Sequence, residues 1–278
     1  MSKIPLIDNI LLDMKASKLY KYLDVKGGLA MLSNSNIQFT NATRLNDPFD
    51  CHPSLIDFSN VPEKQMRVWG QELVMKAESS QFEQRREDTW LCSLSKVNNS
   101  LLMWSYYSNH KGICIGLDME KTRKCLSNIM CTIFIGALEF EVQYKDIIEK
   151  PDYFKHKDDF DLLRYQLSAK AKEWEHEQEV RLVLINPSPA IIPNHSCMVT
   201  MALPYEPKDK TKAVDWREAR TYRKISAECF ESVYLGVNID EDKRNQIIEV
   251  AKKLNSDINI YQMKVDADAF KLHTEQIY

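Results

Sequence analysis

Two glutamates and an arginine at alternate positions form the most distinctive polar pattern in the chain. Glu177, Glu179 and Arg181 lie two residues apart, so on a strand their side chains share one face, about 7 Å from one to the next. Two neighbouring carboxylates favour a raised pKa for one of them, whereas a guanidinium lowers it. This face suits a site where a carboxylate positions or deprotonates a hydroxyl. The alternative is a solvated, salt-bridged strand face.

Two aromatic clusters have a composition suited to binding a flat ring. One is Leu19-Tyr20-Lys21-Tyr22 on a short predicted strand, where each tyrosine offers an apolar face with a polar tip. The other is Leu102-Met103-Trp104-Ser105-Tyr106-Tyr107 on a short predicted helix, on which the aromatic side chains cannot all point inward. An exposed ring there would contact a ligand or a partner. The alternative in both places is ordinary packing of half-buried aromatics.

Two further polar motifs are less specific. Asn46-Asp47-Pro48-Phe49-Asp50 could hold a ligand, although asparagine, aspartate and proline in this order are also typical of a simple turn. Ser93 and Lys96 have the spacing of a serine–lysine nucleophile pair, but no companion motif accompanies them. We interpret the second motif as chance.

Glycine and cysteine usage excludes several kinds of site. The seven glycines cannot be assembled into G-x-G-x-x-G or a P-loop, so any nucleotide must be held in another way. The seven cysteines contain no C-x-x-C pair, and no H-E-x-x-H motif occurs among the six histidines. These features predict reduced thiols and no metal site.

Composition places the chain among ordinary globular proteins. Its 278 residues carry a net charge of −3 with 44% apolar residues, so bulk charge gives no indication of nucleic-acid binding, although a local basic patch could exist. The mean hydropathy is −0.42, no apolar run reaches membrane-spanning length, and the first residues lack the pattern of a signal peptide. These observations predict a cytoplasmic protein without membrane contact.

Hydrophobic periodicity predicts alternating helices and strands. The predicted strands are 19–23, 37–40, 90–95, 112–118, 138–144, 179–185, 197–202, 233–236 and 258–263. The predicted helices are 5–16, 24–32, 62–78, 99–107, 160–174 and one that begins at Asp240. The residues expected to face the core in the helix over 62–78 are Met66, Trp69, Leu73 and Ala77. Those expected to face it in the helix over 160–174 are Phe160, Leu163, Leu167, Ala171 and Trp174.

These elements predict a single α+β domain over residues 1–278, with a mixed, mainly antiparallel central sheet flanked by helices. The strand 179–185 is expected at the centre of that sheet, and a helix and a strand over 240–264 complete the domain. Residues 203–220 are predicted to form a mobile loop. No repeat or shift in composition marks a second domain.

Taken in order, the polar and aromatic motifs resemble one bacterial family, domain of unknown function 2971 (DUF2971). The resemblance covers about residues 19–240. The motifs that carry it are Leu19–Tyr22, Ile37–Thr40 leading to Arg44–Phe49, Cys92–Ser95, Leu102–Tyr107 with Lys111-Gly112, and Trp174-x-x-Glu177-x-Glu179-x-Arg181. The family has no assigned function, so this resemblance implies a relationship and not an activity.

The opening strand–helix–strand pattern is also similar to the start of the ADP-ribosyltransferase fold. That resemblance implies that Lys21 takes the place of a first-strand His or Arg that contacts NAD, and that Tyr106 or Tyr107 stacks on nicotinamide. It further implies that Glu179, or Glu177 beside it, is the catalytic glutamate that bonds the nicotinamide ribose. Lys21 is a departure from the usual residue type.

The implied function is an ADP-ribosyltransferase-like use of NAD, either hydrolysis or transfer to a protein or nucleic acid, in a toxin or phage-defence effector. NAD would be the substrate, with no metal. Together with the motifs above, this gives Glu179 and Glu177 as catalytic candidates. The NAD-binding candidates are Tyr20, Lys21, Tyr22, Asn46, Asp47, Ser93, Trp104, Tyr106, Tyr107 and Arg181.

Two other functions stay open. Asp118, with Glu179 and Arg181, loosely resembles the carboxylates of a magnesium-dependent nuclease, although arginine cannot give up a proton to activate water. The non-enzymatic alternative is a sensor whose aromatic pocket binds a nucleotide or a partner. If a single site exists, residues as distant in sequence as Tyr20 and Arg181 must converge on one cleft. Replacing Glu179 with glutamine is then expected to abolish activity and leave the fold intact.

Overall fold

The computed structural model describes residues 16–127, 137–156, 159–185 and 219–278. Within them the protein is α+β, with a large mixed sheet flanked by helices, which confirms the predicted fold class. The predicted helix over 5–16 (apart from residue 16), the predicted strand over 197–202 and most of the predicted loop over 203–220 lie outside the described residues.

Most of the predicted elements are present, with boundaries shifted by a few residues. The strands are β1 Lys18–Leu23, β2 Asn36–Asn41, β3 Thr89–Ser95, β4 Ile113–Asp118, β5 Leu138–Glu141, β6 Gln143–Lys145, β7 Ala169–Ala171, β8 Glu179–Ile185, β9 Arg220–Lys224, β10 Phe230–Leu235, β11 Asn259–Val265 and β12 Leu272–Gln276. The α-helices are α1 Val25–Asn34, α2 Glu63–Trp69, α3 Gln71–Glu87, α4 Leu101–Ser108, α5 Met119–Leu126, α6 Asp159–Ser168 and α7 Glu241–Leu254.

Ten of the described strands form one sheet. Its main path is β12-β11-β10-β4-β1-β3-β2-β9, and β8 and β5 extend from β3 as a branch. All neighbours in it are antiparallel except β10 and β11. Strand β8 is buried throughout and pairs on both sides, but it lies on the branch between β3 and β5 and not at the centre of the sheet, where the segment 179–185 was expected.

The sheet divides at β3. One edge of β3 pairs with β8 along its whole length, from Thr89 opposite Ile185 to Ser95 opposite Glu179. The other edge pairs first with β2 and then, at Ser95, with Tyr20 of β1. Strands β1 and β2 diverge from this point because β1 continues against β4, whereas β2 continues against β9. The divergence opens a cavity of about 380 Å³ between β1, α1 and β2.

The main hydrophobic core lies where helices α1, α5 and α7 pack on the sheet. It includes Leu32 of α1, Ile247 of α7 and the inward residues of β8, Val180, Leu182 and Leu184. The opposite face of β8 contributes Val183 and Ile185 to a smaller apolar cluster that includes residues of α6. In the described residues no helix combines the length and apolarity that a membrane crossing requires.

The predicted helix over 62–78 is two helices, and its predicted core face is wrong. Gly70 has a φ of 78°, a left-handed conformation that interrupts the helix between Trp69 and Gln71. Met66, Trp69, Leu73 and Ala77 are all exposed. The buried face of α3 consists instead of Val74, Phe82 and Arg85, because the break turns a different stripe toward the protein.

The predicted helix over 160–174 also ends early, at Ser168. Residues Ala169–Ala171 instead form β7, which pairs in parallel with β6, and Lys172–Glu177 form a short 3₁₀ helix. Ala171 and Trp174 therefore do not continue the helical stripe. The predicted strand over 138–144 is likewise divided: β5 pairs with β8, whereas β6 pairs with β7.

Candidate functional site

Five charged side chains are buried together beside the start of β8. We refer to Asp50, Lys170, Glu177, Glu179 and Arg181 as the charged cluster. Each residue is at most 9% exposed. The five residues come from four places in the chain: the turn before Cys51, strand β7, the end of the 3₁₀ helix, and β8. Burial of so much charge is costly unless each group is paired, so their pairing is the feature that must be explained.

Arg181 connects two of the carboxylates. Its Nε and Nη2 atoms donate to the two oxygens of Glu179 at 2.9 and 3.0 Å. Its Nη1 and Nη2 atoms donate to the two oxygens of Asp50 at 2.7 and 2.8 Å. A further bond from Nη1 to the carbonyl oxygen of Leu167, at 2.8 Å, joins the cluster to α6. The guanidinium thus makes a two-pronged contact with each carboxylate, the strongest geometry available to it.

Lys170 connects the two glutamates. Its Nζ lies 2.5 Å from Oε2 of Glu177 and 2.9 Å from Oε2 of Glu179. The same ammonium lies 3.9 Å from Asp50 and 5.1 Å from the ring centre of Trp174. One lysine therefore holds both candidate catalytic carboxylates side by side.

The cluster keeps Glu179 ionised. Burial alone would raise the pKa of Glu179, but the charges of Arg181 and Lys170 outweigh this and hold the pKa well below its ordinary value. Burial would lower the pKa of Lys170, yet the facing carboxylates, Glu179 first, raise it. Three carboxylates and two cations give the cluster a formal charge of −1. The carboxylate of Glu179 is thus kept charged inside the protein.

The predicted placement of Glu177 on a strand is wrong. Glu177 ends the 3₁₀ helix, and Gln178 has a φ of 42°, which separates it from β8. Regular alternation therefore does not bring Glu177 beside Glu179. Their side chains meet because Lys170 binds both, and because the carbonyl oxygen of Glu177 accepts a hydrogen bond from the Ser95 hydroxyl on β3 (2.7 Å).

A small cleft of about 30 Å³ opens beside the two glutamates. It brings together seven of the candidate residues, drawn from β1, β3, α4, the end of the 3₁₀ helix and the start of β8. They are Tyr20, Lys21, Tyr22, Ser93, Tyr107, Glu177 and Glu179. Arg181 joins them indirectly through its bonds to Glu179. These seven residues therefore lie close together, whereas Asn46 and Trp104, which the single-site hypothesis also places in the cleft, do not line it. A shared role in binding or catalysis stays a prediction.

Lys21 lies at the division of the sheet. Its Nζ donates to the carbonyl oxygen of Ser93 at 2.8 Å, between the points where β3 pairs with β2 and with β1. Lys21 also lines the 380 Å³ cavity, so it borders both the small cleft and the larger space between β1 and β2. This bond is a structural reason for a lysine at position 21, independent of any ligand.

The tyrosines of the cleft differ in their contacts. The Tyr107 hydroxyl donates to Oε1 of Glu177 at 2.9 Å, and burial together with that carboxylate raises the pKa of Tyr107. The Tyr22 hydroxyl donates to the carbonyl oxygen of Val97, and its ring packs edge-on against Trp104. Tyr20 makes a similar edge contact with Tyr234. Of these rings, Tyr107 is therefore the one bonded to a candidate catalytic carboxylate.

Besides Arg181, four candidate residues do not line the cleft. Trp104 is fully buried behind Tyr22, and its indole N–H donates to the carbonyl oxygen of Asn98. Tyr106 is 62% exposed and contacts His176 on the outside. Asn46 is exposed, and Asp47 builds a turn by accepting the N–H of Phe49 at 2.9 Å.

Sequence reasoning missed three residues around the carboxylates. Asp50 belongs to the motif that contained Asn46 and Asp47, but its ion pair with Arg181 joins positions 131 residues apart. Lys170 lies between two alanines in a segment predicted as helix, where nothing marks it. Tyr144 accepts the backbone N–H of Glu179 at 2.8 Å, and burial raises the pKa of Tyr144 to about 12. The one available signal for Asp50 was its place in an aspartate-rich turn.

Asp118, the residue that suggested a nuclease, has a local structural role. Its carboxylate accepts the N–H of Lys121 and thereby caps α5. In the part of the chain that the structure describes, no group of three or more His, Cys, Asp or Glu side chains is arranged to hold a metal ion. The three carboxylates of the charged cluster are instead paired with Lys170 and Arg181.

Comparison with known proteins supports one of the two resemblances. Residues 103–182 match the model of a family described as a protein of unknown function (DUF2971). The matched segment contains Tyr107, Lys170, Glu177, Glu179 and Arg181, and so most of the charged cluster. Searches of the curated proteins and of the solved structures gave no match. The chain is therefore similar to DUF2971 proteins over a segment that supplies four of the five residues of the charged cluster.

Proposed function

We propose that this protein is an ADP-ribosyltransferase-like enzyme that cleaves the bond between nicotinamide and ribose in NAD. The observation that carries the proposal is the ionised Glu179, clamped by Arg181 and Lys170 at the wall of a cleft lined with tyrosines. Cleavage of this bond develops positive charge on the ribose, as in glycoside hydrolysis. A fixed negative charge facing the cleft stabilises that transition state more than the ground state.

The two glutamates have different capacities to bind a substrate. Oε1 of Glu179 accepts from Arg181, and its Oε2 accepts from both Arg181 and Lys170. In Glu177, Oε1 accepts from Tyr107 and Oε2 from Lys170, which leaves more acceptor capacity for a ribose hydroxyl. We therefore propose that Glu179 stabilises the positive charge on the ribose, and that Glu177 helps to bind the ribose or the acceptor.

The dimensions of the site suit one end of the substrate. A cleft of about 30 Å³ is too small for a dinucleotide, so only the reacting end of NAD would enter it, and some widening is needed. The 380 Å³ cavity on the other side of Lys21 offers room for the remainder. Tyr107 is our candidate for the ring that contacts nicotinamide, because Tyr106 faces away from the cleft.

A nucleotide-binding sensor without catalysis is the second candidate. It is favoured by the same hydrogen bonds: both oxygens of Glu179 already have cationic partners, as in a purely structural ion network. In that case the cleft would bind NAD or another nucleotide and release it unchanged. The two candidates thus differ in product formation and not in binding.

Product analysis separates the two functions. The purified protein is incubated with NAD, with and without a bacterial lysate as a source of acceptors, and free nicotinamide is measured by mass spectrometry. NADH is the matched control, because its reduced ring is a poor leaving group. We expect nicotinamide to be released from NAD and not from NADH. Binding of NAD by calorimetry without nicotinamide release would contradict the enzyme and favour the sensor.

A further inference from the structure

Two cysteines lie in contact away from the charged cluster. Cys125 is near the end of α5, and Cys229 ends the short 3₁₀ helix Ala227–Cys229 that leads into β10. Their sulfur atoms are 3.6 Å apart although the residues are 104 positions apart in the chain. This separation is close to the roughly 3–3.5 Å at which reacting atoms are poised for attack.

The surroundings of the two thiols are unequal. Cys125 is half-buried, and its sulfur accepts the backbone N–H of Ser226 at 3.4 Å. Burial would raise the pKa of Cys125, but hydrogen bonds, first that from Ser226, outweigh it and lower the pKa. Cys229 is fully buried, lies 3.4 Å from the Ser226 hydroxyl, and has a pKa raised by burial. Cys125 is therefore the more reactive and the more accessible of the pair.

The other described cysteines provide a contrast. Cys51, Cys92 and Cys114 are all buried, and burial raises the pKa of each thiol. Buried thiols of this kind behave as small apolar side chains and react slowly. Among the described cysteines, reactivity is thus concentrated at Cys125, and Cys229 differs from the other buried thiols in lying 3.6 Å from the Cys125 sulfur.

We propose that Cys125 and Cys229 form a redox-active pair that a hydroperoxide oxidises to a disulfide. The Cys125 thiolate attacks the terminal peroxide oxygen, the O–O bond breaks, and the departing alkoxide takes a proton to leave as an alcohol or water. The resulting Cys125 sulfenic acid is attacked by the Cys229 sulfur, which forms the S–S bond and expels hydroxide that leaves as water. The two sulfurs together lose two electrons, which the peroxide accepts.

The disulfide would enclose the segment between residues 125 and 229, which contains Lys170 and all of β8. A bond across so long a loop restricts the unfolded chain, so oxidation should stabilise the fold around the candidate site. The modification is independent of the proposed use of NAD. A protein that does not form this disulfide could still cleave NAD, and a protein that does not cleave NAD could still form the disulfide.

The test is a cysteine-resolved oxidation assay on the whole protein. The native protein is treated with a modest excess of hydrogen peroxide, the remaining thiols are alkylated, and the digest is read by mass spectrometry. We expect a linked peptide that contains Cys125 and Cys229, with a mass about 2 Da below the sum of the two reduced peptides. Cys51, Cys92 and Cys114 should stay unoxidised and serve as internal controls. A dithiol reductant should restore both thiols and abolish any rise in Tm.

Two variants separate the two chemical steps. Cys229→Ser removes the resolving thiol, so Cys125 should accumulate as a sulfenic acid that a dimedone probe traps, whereas Cys125→Ser should show no adduct at Cys229. Free Cys125 and Cys229 after treatment would overturn the proposal. So would a linkage of Cys125 to Cys131 or Cys197 in place of Cys229.

Discussion

In the charged cluster five ionisable side chains are buried, whereas on helices α2 and α3 large apolar side chains lie in solvent. Arg181 is 0% exposed, and Trp69 is 66% exposed. Met66, Val68 and Leu73 on the same helices are also exposed, at 39%, 65% and 56%. The ordinary relation between polarity and burial is therefore reversed in both regions.

The difference shows that the burial of a side chain depends more on the contacts available to it than on its residue type. Each charge of the cluster has an opposite charge within hydrogen-bond distance, and one of these pairs, Asp50 with Arg181, joins positions 131 residues apart. On the helix pair, the break at Gly70 turns the apolar stripe away from the protein, and the buried face is formed by Val74 and Phe82. The first region is fixed by its own contacts, whereas the exposed side chains of the second bury little apolar surface and are expected to add little to stability.

The largest expected effect is that of removing the central cation. Arg181→Met leaves Glu179 and Asp50 buried without their main partner, so it should lower the free energy of unfolding by about 3–5 kcal/mol. Chemical denaturation measures this loss. Arg67→Met is the control, because Arg67 pairs with Glu63 on the exposed surface of α2 and should be replaceable without measurable change. Equal effects of both substitutions would contradict the comparison.

The pH dependence of stability should report the same cluster. The folded-state pKa of Glu179 is lowered, so its contribution is complete above its unfolded pKa of about 4.3 and declines as the pH falls toward the folded value. The difference in unfolding free energy between wild type and Glu179→Gln should therefore be largest near pH 7 and shrink below about pH 4. A difference that is constant from pH 7 to pH 3 would show that charge is not involved.

A smaller effect is expected at the rim of the cleft. Tyr107→Phe removes the hydroxyl that donates to Glu177, and should cost about 1 kcal/mol in denaturant unfolding. Tyr106→Phe is the neighbouring control, since that ring faces outward against His176. The account is weakened if the two tyrosines respond alike.

The smallest effect is expected on the exposed stripe. Trp69→Ala should change the free energy of unfolding by less than about 0.5 kcal/mol, because the ring is largely in solvent. Phe82→Ala, on the buried face of α3, should cost about 3–5 kcal/mol. A large loss from Trp69→Ala would mean that the stripe packs against something and that the contrast with the cluster fails.

The sequence predicted the strands of the site better than its helices. Alternation placed Val180, Leu182 and Leu184 on one face of β8, and those residues do lie together in the core. Helical stripes were less informative, because neither the break at Gly70 nor the end of α6 at Ser168 disturbs the apolar spacing. Local pattern thus predicted the positions of the strands and the inward face of β8, but not which side of a helix is buried.

The candidate site was predictable only where its residues share a motif. Glu179 and Arg181 alternate on one strand, and Tyr20, Lys21 and Tyr22 are adjacent, so their relation is visible in sequence. Asp50 joins the cluster by pairing with Arg181, which lies 131 residues away in the chain. Lys170 is only seven residues from Glu177, but the chain changes from a strand to a 3₁₀ helix between them. No periodicity encodes such contacts.

The most direct test of the central claim compares two glutamate variants in NAD cleavage. Glu179→Gln removes the fixed negative charge at the cleft, and Glu175→Gln makes the same change on an exposed residue four positions away. Nicotinamide release is measured beside a thermal melt that confirms folding. We predict that Glu179→Gln lowers the rate by about 10²–10³ and that Glu175→Gln retains it. Wild-type rates in a folded Glu179→Gln protein would contradict the account.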